Sequence, residues 1–330
     1  MWQVVAATLV SAALLWWALH DVSLEELVTH LRSTRIGWLL AAVVVATLCF
    51  PIRLARWRLL LHDAEGRPLP WSALWHAVAI GFTANNLLPL RAGEVIRAWT
   101  ASRLSGVRLT ASISSVVVER VLDGLMLVAL LAGSLLLPGL PPDVTMWGMP
   151  VARIATIAGL IFGAAFLVAL LVVAFPLPAE RLIERLAPEQ LAQRLVSLLE
   201  GFRHGLSALG SPRRLAGALG WSLVLWLVNA WSFALAFRAF DLPVPFTGAL
   251  LMQSVLAFGI AIPTAPGYVG AFELVIRAVL QLYAIPGSRA VSYAIAYHVT
   301  TFIPITLLGL WSLARTHMSF RDIRRHEADG

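Results

Sequence analysis

The stretch Asn85-Asn86-Leu87-Leu88-Pro89-Leu90-Arg91-Ala92-Gly93-Glu94 interrupts a hydrophobic run with helix-breaking residues and ends on charged ones. A second stretch has a similar design, and it reads Pro263-Thr264-Ala265-Pro266-Gly267-Tyr268-Val269-Gly270-Ala271-Phe272-Glu273. Proline removes a backbone donor and glycine adopts dihedrals that other residues avoid, so each stretch predicts a broken helix.

The composition of the chain predicts a bilayer environment. Hydrophobic residues make up 59% of the 330 and charged residues 13%, with a mean hydropathy of +0.80, whereas soluble domains are about half apolar and a quarter charged. All 25 basic residues are arginine; a GC-rich genome accounts for this, although guanidinium also suits lipid phosphate. Because these arginines are scattered between apolar runs, no nucleic-acid partner is expected.

Six hydrophobic runs are long enough to cross a bilayer: 2–19, 36–52, 111–137, 151–175, 215–237 and 290–313. The first lacks a basic leader and is interpreted as a retained helix rather than a signal peptide. Two further apolar segments, 71–90 and 247–285, contain the breaks. The fold expected is an all-α polytopic membrane protein.

Arginine is unevenly distributed between these runs. It is frequent in 53–70, 91–110, 176–214 and the tail, and absent from 138–150. By the positive-inside rule the arginine-rich segments are cytoplasmic, as are both termini, which fits a multi-pass protein of the cell inner membrane. Segments 71–90 and 247–285 must then dip into the membrane from opposite faces; full spans remain the alternative.

An inverted repeat follows from this topology. The single transmembrane domain, 1–330, would contain repeat units 36–137 and 215–313, joined by a cytoplasmic amphipathic connection, 176–214, and followed by a basic cytoplasmic tail, 314–330. Secondary transporters with inverted repeats bind substrate near the membrane midplane, where the units meet. Non-helical backbone at that depth needs protein or a water-filled cavity around it, so a cavity is predicted there.

Ionisable residues inside a membrane are candidates for function. Together with the residues of the breaks, the candidate substrate-binding residues are Asn85, Asn86, Arg91, Glu94, Glu119, Arg120, Asp123, Pro266, Gly267, Gly270, Glu273 and His298. The alternative is that the charged residues are mutually neutralising pairs that fix helix packing, and that His298 is a satisfied core histidine. The thirteen Trp residues, including Trp57 and Trp226, are expected to be mostly interfacial anchors.

No catalytic, cofactor or metal-binding motif is found. The chain lacks a nucleophile elbow, a Walker-type phosphate loop and a nucleotide-binding glycine fingerprint. Its single cysteine, Cys49, lies in a hydrophobic run, which excludes a disulfide framework within the chain. We therefore expect no cofactor and no metal, and we expect transport that is passive or driven by an ion or the membrane potential.

Three motifs in the same order resemble the transmembrane region of lysylphosphatidylglycerol synthases, which also occurs as stand-alone flippase-like proteins of UPF type. They are N-N-L-L-P-L-R-A-G-E at 85–94, E-R-V-L-D at 119–123 and P-x-x-P-G-x-x-G-x-x-E at 263–273. In the long synthases a soluble aminoacyl-transferase domain follows. The resemblance implies the flipping half alone, which moves a phospholipid or a polyprenyl-phosphate-linked substrate between leaflets.

The function expected is a lipid flippase-like transporter without enzyme activity. Arg91 would bind the phosphate, Glu94 would orient it or exchange a proton, and Arg120 would be the second cation. Glu119, Asp123 and Glu273 would balance charge. The alternatives are an integral-membrane transferase with Glu94 or Asp123 as base, and a non-transporting partner of an envelope-biosynthesis enzyme. A homo-oligomer is a further candidate assembly.

Overall fold

The computed structural model describes residues 2–63, 65–88, 92–139, 145–146, 148–174, 211–260 and 266–318, with isolated positions between 181 and 196. These residues form eleven α-helices, a 3₁₀ turn and one two-residue hairpin. The helices are α1 (Trp2–Leu19), α2 (Leu24–Arg32), α3 (Ile36–Leu60), α4 (Trp71–Leu87), α5 (Gly93–Ser105), α6 (Leu109–Leu136), α7 (Val151–Ala174), α8 (Pro212–Ala239), α9 (Phe246–Gly259), α10 (Ala271–Gln281) and α11 (Gly287–Thr316). The 3₁₀ turn is Pro266–Tyr268, and the hairpin pairs β1 (Thr145–Met146) with β2 (Met149–Pro150).

Local sequence signals set several helix ends. Helix α8 begins at Pro212 and is capped by Ser211, whose hydroxyl accepts a hydrogen bond from the backbone N–H of Arg214. Serine caps and first-turn prolines suit a helix N-terminus because its first N–H groups lack helical partners. Helix α5 ends at Gly106, which has a left-handed φ of 73°, a conformation that glycine adopts without strain.

An apolar surface identifies an integral membrane protein. On α3, Leu40, Val44 and Leu48 are exposed and recur every four residues, so they form one stripe along the helix. Exposed apolar patches of this extent suit lipid rather than water. Within the described residues, α3, α8 and α11 are long and apolar enough to cross a membrane. Helices α1, α6 and α7 occupy nearly all of the other three predicted spans, while the full count of six stays a prediction.

Two sets of four helices follow the same order, with two short helices and a break between two long helices. The first set is α3 to α6 and the second is α8 to α11. Leu60 and Ala239, which end α3 and α8, are 179 positions apart. Packing is matched too, since α4 contacts α11 as α9 contacts α6, and α3 packs along α8. This correspondence supports the predicted repeat, which stays a prediction.

Helices α4 and α5 form an antiparallel hairpin around the first break. Gly81 lies against Arg97, and Asn85 lies against Gly93, so the chain reverses between them. At 1.5 Å per residue, the 17 residues of α4 and the 13 of α5 reach about 25 Å and about 20 Å. Both are shorter than a hydrocarbon core of about 30 Å. That this hairpin enters and leaves the membrane at the same face stays a prediction.

The predicted boundary of the second span is wrong. The sequence places Arg53 and Arg56 in a loop after residue 52, whereas α3 continues to Leu60 and both arginines are buried. The helix continues because buried carboxylates on α6 neutralise the two charges. The predicted connection 176–214 lies almost entirely outside the described residues. The predicted tail is described only to residue 318, where α11 has ended.

Candidate functional site

The first break is held by two asparagines. The side-chain oxygen of Asn85 accepts a hydrogen bond from the backbone N–H of Gly93 across the hairpin, at 2.9 Å. The amide of Asn86 donates to the hydroxyl of Thr306 on α11, also at 2.9 Å. Gly93 has no room for a side chain, because a Cβ atom there would overlap the backbone oxygen of Gly81 and the Asn85 side chain. The asparagines therefore bind the break to its own hairpin and to the other half.

The second break relies on left-handed backbone. Gly267 and Gly270 have φ values of 71° and 88°, and Tyr268 between them has a φ of 61°. Pro266 opens the 3₁₀ turn that contains Gly267. The carboxylate of Glu273 accepts a hydrogen bond from the backbone N–H of Gly270 at 2.7 Å, which closes the start of α10. A non-glycine residue at positive φ is costly and is most common at functional sites.

The two breaks lie next to each other. A Cβ atom on Gly267 would sit 3.4 Å from the backbone oxygen of Asn86 and 3.0 Å from the ring of Phe302. The irregular backbone of the two halves therefore meets at one place, as the sequence predicts for the cavity.

A buried ion-pair cluster lies beside the breaks, where α3 faces α6. The carboxylate of Glu119 lies 2.6 Å from Arg53 and 2.8 Å from Arg56. Asp123, one helical turn later, pairs with Arg56 and also lies 3.5 Å from Arg53. Glu119 and Arg56 are completely buried. Removing one partner from such a cluster leaves an uncompensated charge, so these pairs fix the packing of the two helices.

Two more arginines complete this charge cluster, which consists of Arg53, Arg56, Glu94, Arg97, Glu119, Arg120 and Asp123. Arg97 of α5 binds both oxygens of Glu119, at 3.1 and 2.6 Å, and lies 3.8 Å from the ring centre of Trp57. Arg120 lies 3.2 Å from Glu119, 3.3 Å from Asp123 and 3.8 Å from Glu94. Its side chain is 40% exposed, so it is the arginine of the cluster most open to a ligand.

The second half contributes neutral groups to the cluster. The indole N–H of Trp226 donates to Asp123 at 3.0 Å, and Arg56 donates to the hydroxyl of Ser222 at 2.9 Å. Both residues belong to α8. Four guanidinium groups therefore face three carboxylates in the cluster, which leaves one positive charge without a carboxylate among the described residues.

A cavity of about 510 Å³ lies between the two halves. One end carries charged and amide side chains, from Arg53, Asn85, Asn86, Glu94, Arg120 and Asp123. The remainder is lined mainly by aromatic and apolar residues of both halves and of α7, including Phe50, Phe82, Phe162, Phe233, Phe258, Tyr268, Phe272 and Tyr297. The arrangement suits an amphipathic ligand with one anionic group.

Two predicted site residues of the second half, Glu273 and His298, pair with each other and do not line the cavity. The imidazole Nδ1 of His298 lies 2.6 Å from the Glu273 carboxylate, and the ring of His298 stacks on Phe272 with 4.1 Å between ring centres. Phe272 lines the cavity, whereas neither Glu273 nor His298 does. Both groups are buried behind it, so the structure places this pair as a packing element of α10 and α11.

Arg277 lies four residues after Glu273 on α10, but it does not pair with that carboxylate. Its guanidinium instead binds Asp21, after the end of α1, at 2.6 Å, and the backbone oxygen of Ala18 at 2.7 Å. The hydrogen bonds from Arg277 hold the pKa of the Asp21 carboxyl below its ordinary value. The pair attaches α1 to the second half because Asp21 is the nearer carboxylate.

The structure brings five of the twelve predicted residues to the cavity wall: Asn85, Asn86, Glu94, Arg120 and Asp123. Glu119 lies behind the wall, and Gly267 lies against the first break. Pro266 and Gly270 shape the second break. Arg91 lies outside the described residues. Among the described residues, no group of three His, Cys, Asp or Glu side chains could hold a metal ion.

Three buried arginines of the cluster were not identified as site residues from the sequence. Arg53 and Arg56 were assigned to the cytoplasmic segment 53–70, and Arg97 to the cytoplasmic segment 91–110. A signal was available, since Arg53 and Arg56 are three apart while Glu119 and Asp123 are four apart, and both spacings place charges on one helix face. Trp57 and Trp226 are likewise not interfacial anchors, because Trp57 is fully buried and Trp226 binds Asp123.

Comparison with known proteins agrees with these motifs. The family model described as the lysylphosphatidylglycerol synthase TM region matches residues 4–309. A UPF0104 membrane protein of Methanothermobacter thermautotrophicus is 26% identical over 296 residues, which cover 84% of this chain and 83% of that protein. The glycosyltransferase AglD of Haloferax volcanii is 24% identical over 322 residues, 89% of this chain. The match spans about half of AglD, 51% of its length. No solved structure matches significantly.

Proposed function

The chain belongs to the lysylphosphatidylglycerol synthase transmembrane-region family, and from this premise we propose that it is a flippase-like transporter. It moves an anionic, phosphate-bearing lipid, or a lipid-linked headgroup, between the two leaflets of its membrane. The headgroup crosses through the cavity between the halves, while the acyl or polyprenyl chains stay in the bilayer. This path spares a phosphate the high cost of entering hydrocarbon unpaired.

The excess positive charge of the cluster carries this proposal. Four guanidinium groups and three carboxylates form the cluster. Its members Arg53, Glu94, Arg120 and Asp123 line the cavity, and Arg120 is the most exposed of its arginines. An uncompensated charge at membrane depth is expensive, so such residues usually face a pathway or a partner. A phosphate would neutralise the charge and accept parallel hydrogen bonds from a guanidinium group.

The residues of the cluster divide into two roles. Arg120, predicted as the second cation, binds the phosphate from the cavity wall, and Arg91 stays the arginine predicted to bind the phosphate first. Glu94, which lies 3.8 Å from Arg120, orients that arginine or exchanges a proton. Glu119 is enclosed by arginines and keeps the helices in register. Asp123 holds Arg56 and Arg120 at the edge of the cavity.

The organisation of the chain is part of the proposal. Residues 36–137 and 215–313 form two inverted units with opposed re-entrant hairpins, and residues 176–214 connect them on the cytoplasmic side. The matched order and packing of α3 to α6 and α8 to α11 support this arrangement. The protein resides in the inner membrane with both termini in the cytoplasm, and its partner is the transported lipid.

A transferase acting on a lipid-linked substrate is the second candidate. The Oε2 atom of Glu94 is buried and has no hydrogen-bond partner among the described residues, which is a suitable state for a general base. Asp123 is less suitable, because Arg56 and Trp226 already bind it. A transferase forms product in detergent, where no leaflets exist to be crossed, and a transporter does not.

Reconstitution tests the proposed function. Purified protein is placed in phosphatidylcholine vesicles with a trace of phosphatidic acid labelled on an acyl chain, and leaflet exchange is followed by quenching of the outer label. We expect Arg120→Gln to slow exchange by about 10- to 100-fold, since a hydrogen bond to a charged group is worth about 1.5–3 kcal/mol. The control is Arg67→Gln, which changes an exposed arginine in the loop between α3 and α4.

Native mass spectrometry of co-purified lipids gives a second readout. A phosphate-bearing lipid class retained by the wild type and lost in Arg120→Gln would support the cavity as the binding site. Wild-type exchange in the Arg120→Gln variant would contradict it. A partner role for a separate envelope enzyme would instead give co-purification of that enzyme without an enriched lipid.

A further inference from the structure

Gln253 is an amide side chain within the apolar helix α9, and it lines the cavity from the second half. It is only 2% exposed. Neither its carbonyl oxygen nor its amide nitrogen has a hydrogen-bond partner in the part of the chain that the structure describes. A buried amide that bonds to nothing is destabilising, so this position is explained by a partner that enters the cavity.

The position of Gln253 relative to the charge cluster follows from its neighbour. The hydroxyl of Ser254 donates to the backbone oxygen of Leu127 on α6, at 3.2 Å. Leu127 lies four residues beyond Asp123, which is about 6 Å along a helix, and both residues line the cavity. The cavity therefore has a cationic end at Arg120 and a neutral amide about one helical turn further along α6.

The chemistry of an amide limits what it can recognise. Glutamine offers one oxygen acceptor and two N–H donors, which match a hydroxyl group in both directions. An ammonium group would need carboxylates, and the carboxylates among the described lining residues, Glu94 and Asp123, lie at the cationic end next to Arg120. A hydroxylated substituent on the phosphate therefore fits this end of the cavity better than an amine.

We propose that Gln253 determines headgroup specificity by hydrogen bonding to a neutral, hydroxylated substituent of the phosphate that Arg120 holds. The inference rests on the proposed function and names the substrate class of the same site. Glycerol and a polyol ring carry the required hydroxyl groups equally, and the bare phosphate of phosphatidic acid carries none. Gln253 therefore discriminates between anionic lipids that the arginines alone bind alike.

The test compares labelled lipids in the reconstituted full-length protein. Phosphatidylcholine vesicles carry a trace of one acyl-labelled lipid: phosphatidic acid, phosphatidylglycerol, phosphatidylinositol or phosphatidylethanolamine. We expect Gln253→Leu to slow exchange of phosphatidylglycerol or phosphatidylinositol by about 10-fold, and that of phosphatidic acid by less than about twofold, because the lost bond leaves the hydroxyl unpaired. The wild-type ratio of the two hydroxylated lipids distinguishes glycerol from a polyol ring.

Two further variants control for folding and charge. Ser254→Ala changes the adjacent buried residue, which bonds to backbone oxygens and does not line the cavity, and it should leave the ratio of hydroxylated lipid to phosphatidic acid unchanged. Gln253→Glu keeps the size and adds a negative charge. It should slow all three anionic lipids and favour phosphatidylethanolamine relative to them.

The possible results separate the two proposals. An equal effect of Gln253→Leu on phosphatidic acid and on the hydroxylated lipids would overturn the specificity role, as would no effect on any of them, which would show that water satisfies the amide. Faster wild-type exchange of phosphatidylethanolamine would also overturn it and would assign the aromatic wall to an ammonium group. No wild-type exchange of any anionic lipid would instead overturn the proposed function.

Discussion

Glu94 and Glu273 follow the two breaks at equivalent positions, yet their carboxylates have different environments. Glu94 lines the cavity, is 29% exposed, and keeps one oxygen without a hydrogen-bond partner among the described residues. Glu273 is buried, and its two oxygens are bound by His298 and by the backbone N–H of Gly270. The glutamate at the end of the motif therefore lines the cavity in the first half and caps a helix in the second.

The wider distribution of charge follows the same division. The first half contributes all seven charged side chains of the cluster, whereas α8 adds Ser222 and Trp226, and α9 adds Gln253. The order and packing of the helices match between the halves, but the chemistry at the cavity does not. Similar scaffolds have therefore acquired an ionic wall on one side and a neutral wall on the other.

Removing a buried carboxylate from the charge cluster should give the largest effect, a fall in the free energy of unfolding. Glu119→Gln keeps the size of the side chain but removes the fully buried carboxylate that pairs directly with Arg53, Arg56 and Arg97. The free energy of unfolding should therefore fall by about 3–5 kcal/mol. The measurement is the thermal unfolding midpoint in detergent, followed by tryptophan fluorescence. Glu65→Gln, the same change at an exposed ion pair, should not shift the midpoint measurably. Equal midpoints for the two variants would contradict a structural role for Glu119.

Replacing each of the two glutamates that follow the breaks by glutamine gives the sharpest comparison of the halves. Glu94→Gln should slow lipid exchange by about 10-fold or more without changing the midpoint, because its carboxylate acts on Arg120 rather than on the fold. Glu273→Gln should lower the free energy of unfolding by about 1.5–3 kcal/mol, since it removes charge-assisted bonds to Gly270 and His298. Its exchange rate per folded molecule should be retained. The reverse pattern would refute the division between the halves.

The smallest effect concerns pH. Hydrogen bonds from Arg277 lower the pKa of Asp21 from an ordinary value of 3.8. This pair therefore stabilises the protein fully above about pH 4, and the contribution is lost as the pH falls through the lower folded-state pKa. We expect the midpoint of the wild type to fall towards that of Asp21→Asn below pH 4. The difference should be small because Asp21 is half exposed, and a constant difference down to pH 2 would contradict the assignment.

The breaks could be predicted from the sequence because their signals are local. Pro, Gly and Asn next to one another exclude a continuous helix whatever the neighbours do. The left-handed φ values of Gly267 and Gly270, and the bond from Gly93 to Asn85, follow from those residue types. The family resemblance depends on the same motifs and is confirmed by the match over residues 4–309.

The cluster could not be assembled in the same way, because it depends on contacts between distant segments. Hydropathy ends a span at its first arginine, so Arg53 and Arg56 were assigned to water although partners on α6 keep them buried. Gln253 gave no signal, since a single amide in an apolar run is recognisable only once its missing partner is known. The roles predicted for the site residues, including Arg91, stay predictions that the variants above would test.

The hydrogen bonds between α8 and the charge cluster contribute to the free energy needed to move one half relative to the other. At this level the halves are joined by the hydrogen bonds of Ser222 and Trp226, while the ion pairs of the cluster lie within the first half. A hydrogen bond to a charged group is worth about 1.5–3 kcal/mol, much less than separating a buried ion pair. A shift between the halves at this level therefore breaks two hydrogen bonds from neutral groups and leaves every salt bridge of the cluster in place.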